Sequence, residues 1–219
     1  MLIVFEGIHG SGKSTLLNNL KVYIENNINC KIGVTSWNSY PDVEQLNTVL
    51  KTKGYLNALN ASLIHALDFN LRYEYHIKPL LQEGYIILAD RYIYTAYVRD
   101  QLRGIPREML DVMYNYASIP DIVFYFDINP VDAINRMISK IHERSSYILG
   151  LDLKLANNPI DNFRIFLQNQ RNEYEKIVRV NNSIFYRVDT SKNEKYQTQE
   201  IIDYFINIYN SRNEQVENQ

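Results

Sequence analysis

The sequence has little cysteine, no basic leader and no long apolar run, and each lack narrows the kind of protein it encodes. Cys30 is the single cysteine among 219 residues, so neither a disulfide framework nor a cysteine-based metal site is expected. The first residues are apolar at once, and no stretch approaches the length of a membrane span. We therefore expect a cytoplasmic protein of a reducing compartment, with no membrane partner.

The sequence also has no large excess of positive or negative charge. The 23 lysines and arginines nearly balance the 25 aspartates and glutamates, and the sequence pI is about 6.1. This balance argues against nucleic acid as a constant partner, whereas a small anionic ligand needs only a local basic pocket. Since 46% of the residues are hydrophobic and no repeat, linker or second domain is evident, we expect one domain over residues 1–219.

A glycine-rich motif near the start of the chain carries the strongest functional signal. Residues 7–14 have the sequence GIHGSGKS, which fits the phosphate-loop pattern G-x-x-x-x-G-K-[ST]. The apolar run at 2–5 predicts a strand before the motif, and the apolar spacing after it predicts a helix from 13 to about 24. In that context, backbone N–H groups and the positive end of the helix face a phosphate. The motif therefore predicts a site for a nucleoside triphosphate.

The residues of this motif have separate expected roles. Lys13 would reach the β- and γ-phosphates of a nucleoside triphosphate, and the Ser14 hydroxyl would bind Mg²⁺. The residues predicted to bind this nucleotide in this part of the chain are Gly7, His9, Gly10, Ser11, Gly12, Lys13, Ser14 and Thr15.

Apolar runs alternate with helical patterns along the rest of the chain, which predicts an α/β fold. Strands are expected at 2–5, 31–35, 84–89, 122–126 and 184–188. Helices between them favour a five-stranded parallel sheet with helices on both faces, the three-layer α/β/α architecture of P-loop proteins. The polar stretch at about 139–158 interrupts the pattern and is expected to form a helical lid.

Charged residues stand where a central strand is expected to end. Asp90 and Arg91 follow the third apolar run, at the sheet edge where the phosphate loop also opens. Two charges there are costly without partners, which favours a functional role over a structural ion pair. We expect Asp90 to hold a Mg²⁺-bound water, Arg91 to bind phosphate, and Arg144 to reach the transferred group from the lid.

The helix expected at 58–81 has two distinct faces. One is an apolar stripe that includes Leu63 and Leu67, and the other is a mixed face with His65, Asp68, Phe69 and Arg72. Taken alone, the mixed face is more typical of a solvated Asp68–Arg72 pair beside a partly buried aromatic ring. If the helix lines the site instead, Arg72 and Arg91 suit an acceptor that carries phosphate, because arginine binds phosphate bidentately.

Several segments, taken together and in order, resemble the thymidylate kinases, and most closely their archaeal members. The opening at 5–15 is similar to the start of that family, and the segments at 69–74 and 90–95 are similar to its next two signatures. The segments at 120–136 and 188–191 are similar to the approach to its lid and to its adenine-side loop. The ordered set is much more specific than the phosphate loop alone.

The resemblance implies a nucleoside monophosphate kinase that transfers phosphate from ATP to dTMP with Mg²⁺, in a homodimer. By position, Arg72 and Arg91 would hold the acceptor phosphate, and Arg136 and Thr190 would lie on the adenine side. Trp37 is equally consistent with a substrate wall and with an anchor for its loop. The residues expected on the acceptor side are Arg72, Phe69, His65, Trp37, Tyr94 and Tyr97.

The sequence departs from the family pattern at three places. His9 stands where the family usually has an acidic residue near the deoxyribose hydroxyl, and Ser36 replaces an arginine that would contact phosphate. The stretch at 97–100 does not reproduce the usual Ala-Tyr-Gln. These departures leave the kinase class intact and the choice of nucleotide open.

Two functions besides that of a monophosphate kinase fit parts of the sequence. A deoxynucleoside kinase would have a similar loop and sheet and would use a carboxylate such as Glu6 as the base for a sugar hydroxyl. The two acceptor-side arginines argue against such an uncharged acceptor. A nucleotide-binding module without an acceptor is the other alternative, although the Asn-Lys-x-Asp pattern of GTPase switches is absent.

Overall fold

Five short strands form one parallel sheet in the computed structural model, which describes residues 1–217. The strands are Leu2–Glu6 (β1), Ile32–Ser36 (β2), Ile86–Asp90 (β3), Ile122–Asp127 (β4) and Phe185–Asp189 (β5). Their order across the sheet is β2-β3-β1-β4-β5, and every neighbouring pair is parallel. The parallel α/β sheet predicted from the sequence is confirmed.

Helices make most of the connections between successive strands. The α-helices are Lys13–Asn27 (α1), Pro41–Thr52 (α2), Ala58–Arg72 (α3), Lys78–Gln82 (α4), Ile93–Gln101 (α5), Arg107–Tyr114 (α6), Pro130–Met137 (α7), Pro159–Val180 (α8) and Glu194–Glu217 (α9). A π-helical turn at Tyr73–Ile77 joins α3 to α4. The sequence pattern does not predict α2, because only Val43 and Asn47 of this helix are buried. Within residues 1–217, none of these helices combines the length and apolarity needed to cross a bilayer.

Successive residues of the central strand fill two separate cores. Ile3 and Phe5 pack on the face covered by α1 and α9. Leu2 and Val4 pack on the opposite face, with side chains of α3, α5 and α8. Because side chains alternate along a strand, a strand buried on both faces has the continuous apolar sequence seen here. The sheet is therefore the middle of three layers.

The strand register brings the predicted site residues to one edge of the sheet. Asp90, the last residue of β3, is paired with Phe5 of β1 on one side and with Ser36 of β2 on the other. The phosphate loop follows β1 directly, and Arg91 follows β3. The carboxyl ends of parallel strands are where α/β proteins bind ligands, so the topology supplies a common site for the loop and for Asp90 and Arg91.

The helix α3 turns its apolar stripe outward and its mixed face inward. Leu63 and Leu67 are 47% and 45% exposed, whereas Asp68 and Arg72 are 0% and 2% exposed. The interpretation of a solvated Asp68–Arg72 pair is therefore wrong, since both charged groups are buried. A surface helix normally buries its apolar face. The reversal indicates a polar site beneath α3 and an apolar surface above it.

The segment predicted as a lid contacts Arg103, which lies in the turn after α5. The guanidinium donates to both carboxylate oxygens of Asp152, at 2.8 and 3.1 Å, and to the carbonyl oxygen of Tyr147 at 2.6 Å. It also lies over the Tyr147 ring, 3.7 Å from the centroid. The turns of this segment are 3₁₀ turns, at Ile138–Glu143 and Leu151–Leu153, and its movement as a lid stays a prediction.

The buried carboxylate of Glu6 joins β1 to two helices. It accepts hydrogen bonds from the backbone N–H groups of Tyr92 and Thr95, from the Thr95 hydroxyl and from the Tyr174 hydroxyl of α8. The four distances lie between 2.7 and 3.2 Å, and Glu6 is 0% exposed. These donors occupy the carboxylate, so its role is to hold the end of β1 against α5 and α8.

We expect Glu6→Ala to lower the free energy of unfolding by about 3–5 kcal/mol, because the change leaves four buried donors without their acceptor. The matched control is Tyr174→Phe, which removes one of the four donors and should cost about 1 kcal/mol. Urea unfolding followed by circular dichroism measures both values. Equal losses for the two variants would contradict the organising role of the carboxylate.

Candidate active site

The phosphate loop has a backbone conformation that glycine permits. The φ angles of Gly10 and Gly12 are 77° and 96°, in the left-handed region where other residues are strained. A side chain at position 10 would also collide with the carbonyl group of Ala133. The helix α1 begins at Lys13, directly after the loop, so its positive end lies at the loop.

Lys13 is a buried cation with uncharged partners. Its ammonium group donates to the carbonyl oxygen of Ile8 at 2.7 Å and to Oγ of Ser11 at 3.0 Å. Burial and the nearby charge of Arg91 lower the pKa of Lys13 well below its usual value. An anion in the loop would favour the charged form of this side chain.

Ser14 and Asp90 meet at the mouth of the loop. The Ser14 hydroxyl donates to Oδ2 of Asp90 at 2.5 Å. Both groups offer the oxygen ligands that Mg²⁺ prefers, and this ion usually binds through one or two protein groups, several waters and substrate phosphates. Across residues 1–217, no group of three or more His, Cys, Asp or Glu side chains is arranged to hold a metal. The Ser14–Asp90 pair therefore fits a metal that takes most of its ligands from nucleotide and water.

Arg91 has an unusual backbone conformation beside the loop. Its φ angle is 75°, which is uncommon for a residue with a side chain. The guanidinium donates to the carbonyl oxygen of Gly7 at 2.9 Å and to Oγ1 of Thr95 at 3.2 Å. Both acceptors are uncharged, so the positive charge of Arg91 stays available to a ligand.

Two cavities adjoin at His9 and Arg91, and we name them the donor and the acceptor cavity after the roles expected from the sequence. The donor cavity, of about 360 Å³, is lined by the phosphate loop with Asp90, Arg91 and Arg144. The acceptor cavity, of about 190 Å³, extends from His9 and Arg91 towards α3. Phosphoryl transfer depends mainly on placing two substrates in line and on neutralising charge, and two adjoining cavities with cations at their junction suit that task.

Most of the residues predicted for ATP line the donor cavity or contact residues that do. Those that line it are His9, Gly10, Ser11, Gly12, Lys13, Ser14 and Thr15. Gly7 adjoins it through the hydrogen bond from Arg91. The other two, Arg136 and Thr190, contact each other, since Nη2 of Arg136 donates to the carbonyl oxygen of Thr190 at 3.0 Å.

Aromatic side chains form much of the wall of the acceptor cavity. The His65 ring lies between Trp37 and Tyr147, with centroid distances of 6.0 and 5.9 Å. All three residues line the cavity, and Arg99 reaches it from α5. Trp37 therefore lies on the wall of the cavity, and its contact with a substrate stays a prediction. Sequence reasoning missed Tyr147 and Arg99 as site residues; the basic character of the lid and the unusual stretch at 97–100 were the signals that pointed towards them.

Four of the six residues predicted for the acceptor side do not line this cavity, namely Phe69, Tyr94, Tyr97 and Arg72. Phe69 is 0% exposed and packs in the core against Tyr92, with ring centroids 5.0 Å apart. Tyr94 and Tyr97 line a different cavity, of about 370 Å³, between α5 and α8. The face of α5 that reaches the acceptor cavity carries Arg99 instead. Sequence spacing alone does not show which face of a short helix meets a cleft when both carry large side chains.

Arg72 is buried and joins α3 to the loop after β2. Its Nε atom donates to Asp68 at 2.7 Å, and its Nη1 atom donates to Oγ1 of Thr35 at 3.0 Å. Asp68 also accepts hydrogen bonds from the backbone N–H groups of Asn38 and Tyr40. The pair thus fixes the loop, while Nη2 of Arg72 is buried without a hydrogen-bond partner. Arg72 is not among the residues that line the acceptor cavity, so its contact with the acceptor phosphate stays a prediction.

Comparison with known proteins agrees with this geometry. The family model described as thymidylate kinase matches residues 5–201 of the chain. The chain belongs to the thymidylate kinase family. The matched range contains the phosphate loop, Asp90, Arg91 and the segment predicted as a lid.

Individual thymidylate kinases are similar to the chain over most of its length. A probable thymidylate kinase 2 of Saccharolobus solfataricus is 35% identical over 180 residues, which are 82% of this chain and 83% of that protein. A probable thymidylate kinase of Thermococcus kodakarensis is 27% identical over 89% of this chain and 100% of its own length. The crystal structure of thymidylate kinase from Ehrlichia chaffeensis has the same fold, with a TM-score of 0.69, 20% identity, and coverage of 94% of this chain and 97% of that one.

Two of the three departures from the thymidylate kinase pattern are in direct contact. Arg99 lies in the unusual stretch at 97–100, and its Nη2 atom is 2.7 Å from Nε2 of His9. Burial and the charges of Arg99 and Arg91 hold the pKa of His9 well below its usual value. The imidazole is therefore neutral near pH 7 and accepts a hydrogen bond from the guanidinium.

We expect Arg72→Ala to destabilise the protein by about 3–5 kcal/mol, because it leaves the buried carboxylate of Asp68 without its counter-ion. The control is Lys78→Ala, which removes an exposed ion pair with Glu74 and should change stability by less than about 0.5 kcal/mol. Urea unfolding gives both values. If Arg72→Ala unfolded at the same urea concentration as the wild type, the buried carboxylate of Asp68 would not need Arg72 as its counter-ion.

Proposed function

We propose that the chain transfers the γ-phosphate of ATP to dTMP and so produces dTDP. The observation that carries this proposal is the junction of the donor and acceptor cavities at His9 and Arg91. The acceptor cavity has aromatic and basic walls, which suit the base and the phosphate of a nucleoside monophosphate. Membership of the thymidylate kinase family supports dTMP as that monophosphate.

On the donor side, the loop and Lys13 bind the phosphates of ATP. Backbone N–H groups of the loop and the amino end of α1 attract the anion, and the uncharged partners of Lys13 leave its charge for the β- and γ-phosphates. Arg136 and Thr190 lie on the adenine side. The contact between these two residues supports a common role.

Ser14 and Asp90 are the proposed residues for Mg²⁺, Ser14 as a direct ligand and Asp90 through water. Their hydrogen bond supports this assignment, because it brings a hydroxyl and a carboxylate together beside the loop. When bound, the ion supplies positive charge that offsets the charge developing on the phosphates.

On the acceptor side, Arg91 binds the phosphate of dTMP and keeps it in line with the donor. It lines both cavities, and its partners are uncharged. Trp37 and His65 flank the nucleoside. Arg144 lies on the donor cavity and would meet the charge of the transferred group when the lid closes.

A deoxynucleoside kinase is less well supported than a monophosphate kinase. Glu6, the carboxylate expected to act as its base, is occupied by four hydrogen-bond donors. Arg91 has a charge that a neutral sugar hydroxyl does not require. A binding module without an acceptor would have no use for the cations at the acceptor cavity.

We also propose that two copies of the chain associate through α2 and α3. The exposed apolar side chains of these two helices are Leu46, Val49, Leu59, Leu63 and Leu67. Those of α3 recur at every fourth position, so they form one stripe. An apolar stripe of this kind on a surface helix is typical of an interaction surface, and the resemblance to thymidylate kinases favours a second copy as its partner. The cytoplasmic location expected from the sequence stays a prediction.

Purified protein with ATP and Mg²⁺ should phosphorylate dTMP with a turnover of about 1–100 s⁻¹, the usual range of kinases, and should act little on thymidine. Coupled detection of ADP measures this with dTMP, dUMP, dCMP, dAMP, dGMP and thymidine as separate acceptors. Preference for another monophosphate would contradict the choice of dTMP, and activity with thymidine alone would contradict the monophosphate class.

In the same assay, Lys13→Ala should reduce turnover on the order of 100-fold or more with every acceptor, because it removes a cation from the phosphates. The control is Lys21→Ala on the same helix, where the lysine lies beside Glu25 at the surface, and its turnover should match the wild type. A wild-type rate for Lys13→Ala would contradict the donor site.

The wild-type protein should sediment as a dimer, and Leu63→Glu should sediment as a monomer, because the change puts a charge into an apolar interface. Val22→Glu is a matched control on α1: Val22 is also apolar and exposed, at 54%, but it lies on the opposite face of the sheet. Sedimentation velocity distinguishes these states. A dimeric Leu63→Glu would exclude this stripe as the interface.

A further inference from the structure

Arg99 is a partly buried guanidinium on the wall of the acceptor cavity, and its side-chain partners are uncharged. Its Nη2 atom is 2.7 Å from Nε2 of His9, and its Nε atom is 3.4 Å from Oε1 of Gln170. Among residues 1–212, no carboxylate forms a hydrogen bond or an ion pair with this side chain. A charge removed from water without a counter-ion is costly, so an anionic ligand would lower the free energy of this arrangement.

Other arginines packed within the protein have carboxylate partners. Arg72 is paired with Asp68, Arg103 with Asp152, and Arg171 with Asp127. Arg91 and Arg99 are different, because both line the acceptor cavity and both donate to uncharged groups. The paired arginines connect elements of the fold, whereas the charges of Arg91 and Arg99 are left for an anionic ligand.

His9 holds Arg99 without cancelling its charge. Burial and the charges of Arg99, Arg91, Lys13 and Arg144 keep the pKa of His9 well below its usual value. The neutral ring accepts a hydrogen bond at Nε2 and has no negative charge to offset the guanidinium. A carboxylate at position 9 would instead form an ion pair with Arg99 and reduce its attraction for an anion.

The position of Arg99 indicates which substrate it serves. Arg99 lines the acceptor cavity together with Arg91 and His9, whereas the donor cavity is lined by Arg91, His9 and Arg144. Burial and the nearby charge of Arg91 lower the pKa of Arg99 to about 9. Two neighbouring cations that repel each other in the free protein are stabilised together by one dianion between them.

We infer that Arg99 binds the 5′-phosphate of the acceptor nucleotide together with Arg91, and that His9 is a positioning residue for Arg99. This inference rests on the proposed function and adds a substrate-binding residue to it. At the end of β2, Ser36 has no charge to offer the same phosphate. Arg99 supplies a guanidinium from α5 in place of the missing charge at position 36. Two arginines, Arg91 and Arg99, then bind the one phosphate of the acceptor.

The first test measures acceptor binding directly, by calorimetry with dTMP and with thymidine in the absence of ATP. Arg99→Gln keeps a polar side chain of similar length and removes the charge. We expect it to weaken dTMP binding by about 10- to 100-fold, since charged hydrogen bonds to phosphate are worth that much, and to leave thymidine binding unchanged. The control is Arg107→Gln, which alters an exposed guanidinium on α6 and should leave both affinities unchanged.

Kinetics of the same variants separate the two substrates. Arg99→Gln should raise the KM for dTMP by a similar factor and leave the KM for ATP within about twofold, because Arg99 faces the acceptor cavity. Arg99→Lys keeps the charge but not the planar fork, so its affinity for dTMP should lie between those of wild type and Arg99→Gln. Equal weakening of dTMP and thymidine, or no weakening of either, would overturn the role of Arg99.

Position 9 tests the positioning role. His9→Asp should weaken dTMP affinity as much as Arg99→Gln does, whereas His9→Gln, which offers Arg99 a neutral hydrogen-bond acceptor, should weaken it less than His9→Asp does. An unchanged dTMP affinity in His9→Asp would overturn the positioning role. If the wild-type protein phosphorylates no nucleoside monophosphate, the proposed function itself fails; if it does so and Arg99→Gln behaves as wild type, the present inference alone fails.

Discussion

Glu6 is a buried carboxylate at the point where β1 ends and the phosphate loop begins, and the rest of the site depends on its hydrogen bonds. Two of its donors are backbone N–H groups on either side of the start of α5, and a third is a tyrosine of α8, 168 positions away in sequence. Arg91 precedes these N–H groups, and its unusual φ angle is maintained because the surrounding hydrogen bonds determine it. Arg91 in turn donates to Gly7 of the loop. One carboxylate therefore fixes the phosphate loop and Arg91 relative to each other, and phosphoryl transfer depends on such fixed placement of the groups around it.

The partners of the cations divide them into two groups. Arg72, Arg103 and Arg171 have carboxylate partners and connect elements of the fold. Lys13 and Arg91 donate to carbonyl and hydroxyl groups only, and Arg99 extends this second group. Because an unpaired buried charge costs free energy, a site that keeps several of them together is poised for a polyanion, and nucleotides are polyanions.

Much of the fold was predictable from local pattern, and part of the site was as well. The five strands were predictable because each is a short apolar run, and the phosphate loop because its glycines and Lys13 must follow one another in sequence. Phe69 and the Asp68–Arg72 pair were harder to assign, because helical spacing shows which residues share a face and not which face is buried. On α3 the apolar stripe is the exposed one, opposite to the usual arrangement. The helix α2 was missed because little of it is buried.

The parallel α/β fold, the phosphate loop and the position of Asp90 and Arg91 at the end of a central strand can all be inferred from the amino-acid sequence alone. These features depend on neighbours along the chain and on the periodicities of strands and helices. The folded chain was needed to show that hydrogen-bond donors surround Glu6, that Tyr94 and Tyr97 face away from the acceptor cavity, and that Arg99 lines it. The physical reason is that burial and hydrogen-bond partners determine what a charged side chain does, and those partners come from distant segments. His9 and Arg99 are 90 positions apart in the chain and 2.7 Å apart in the fold.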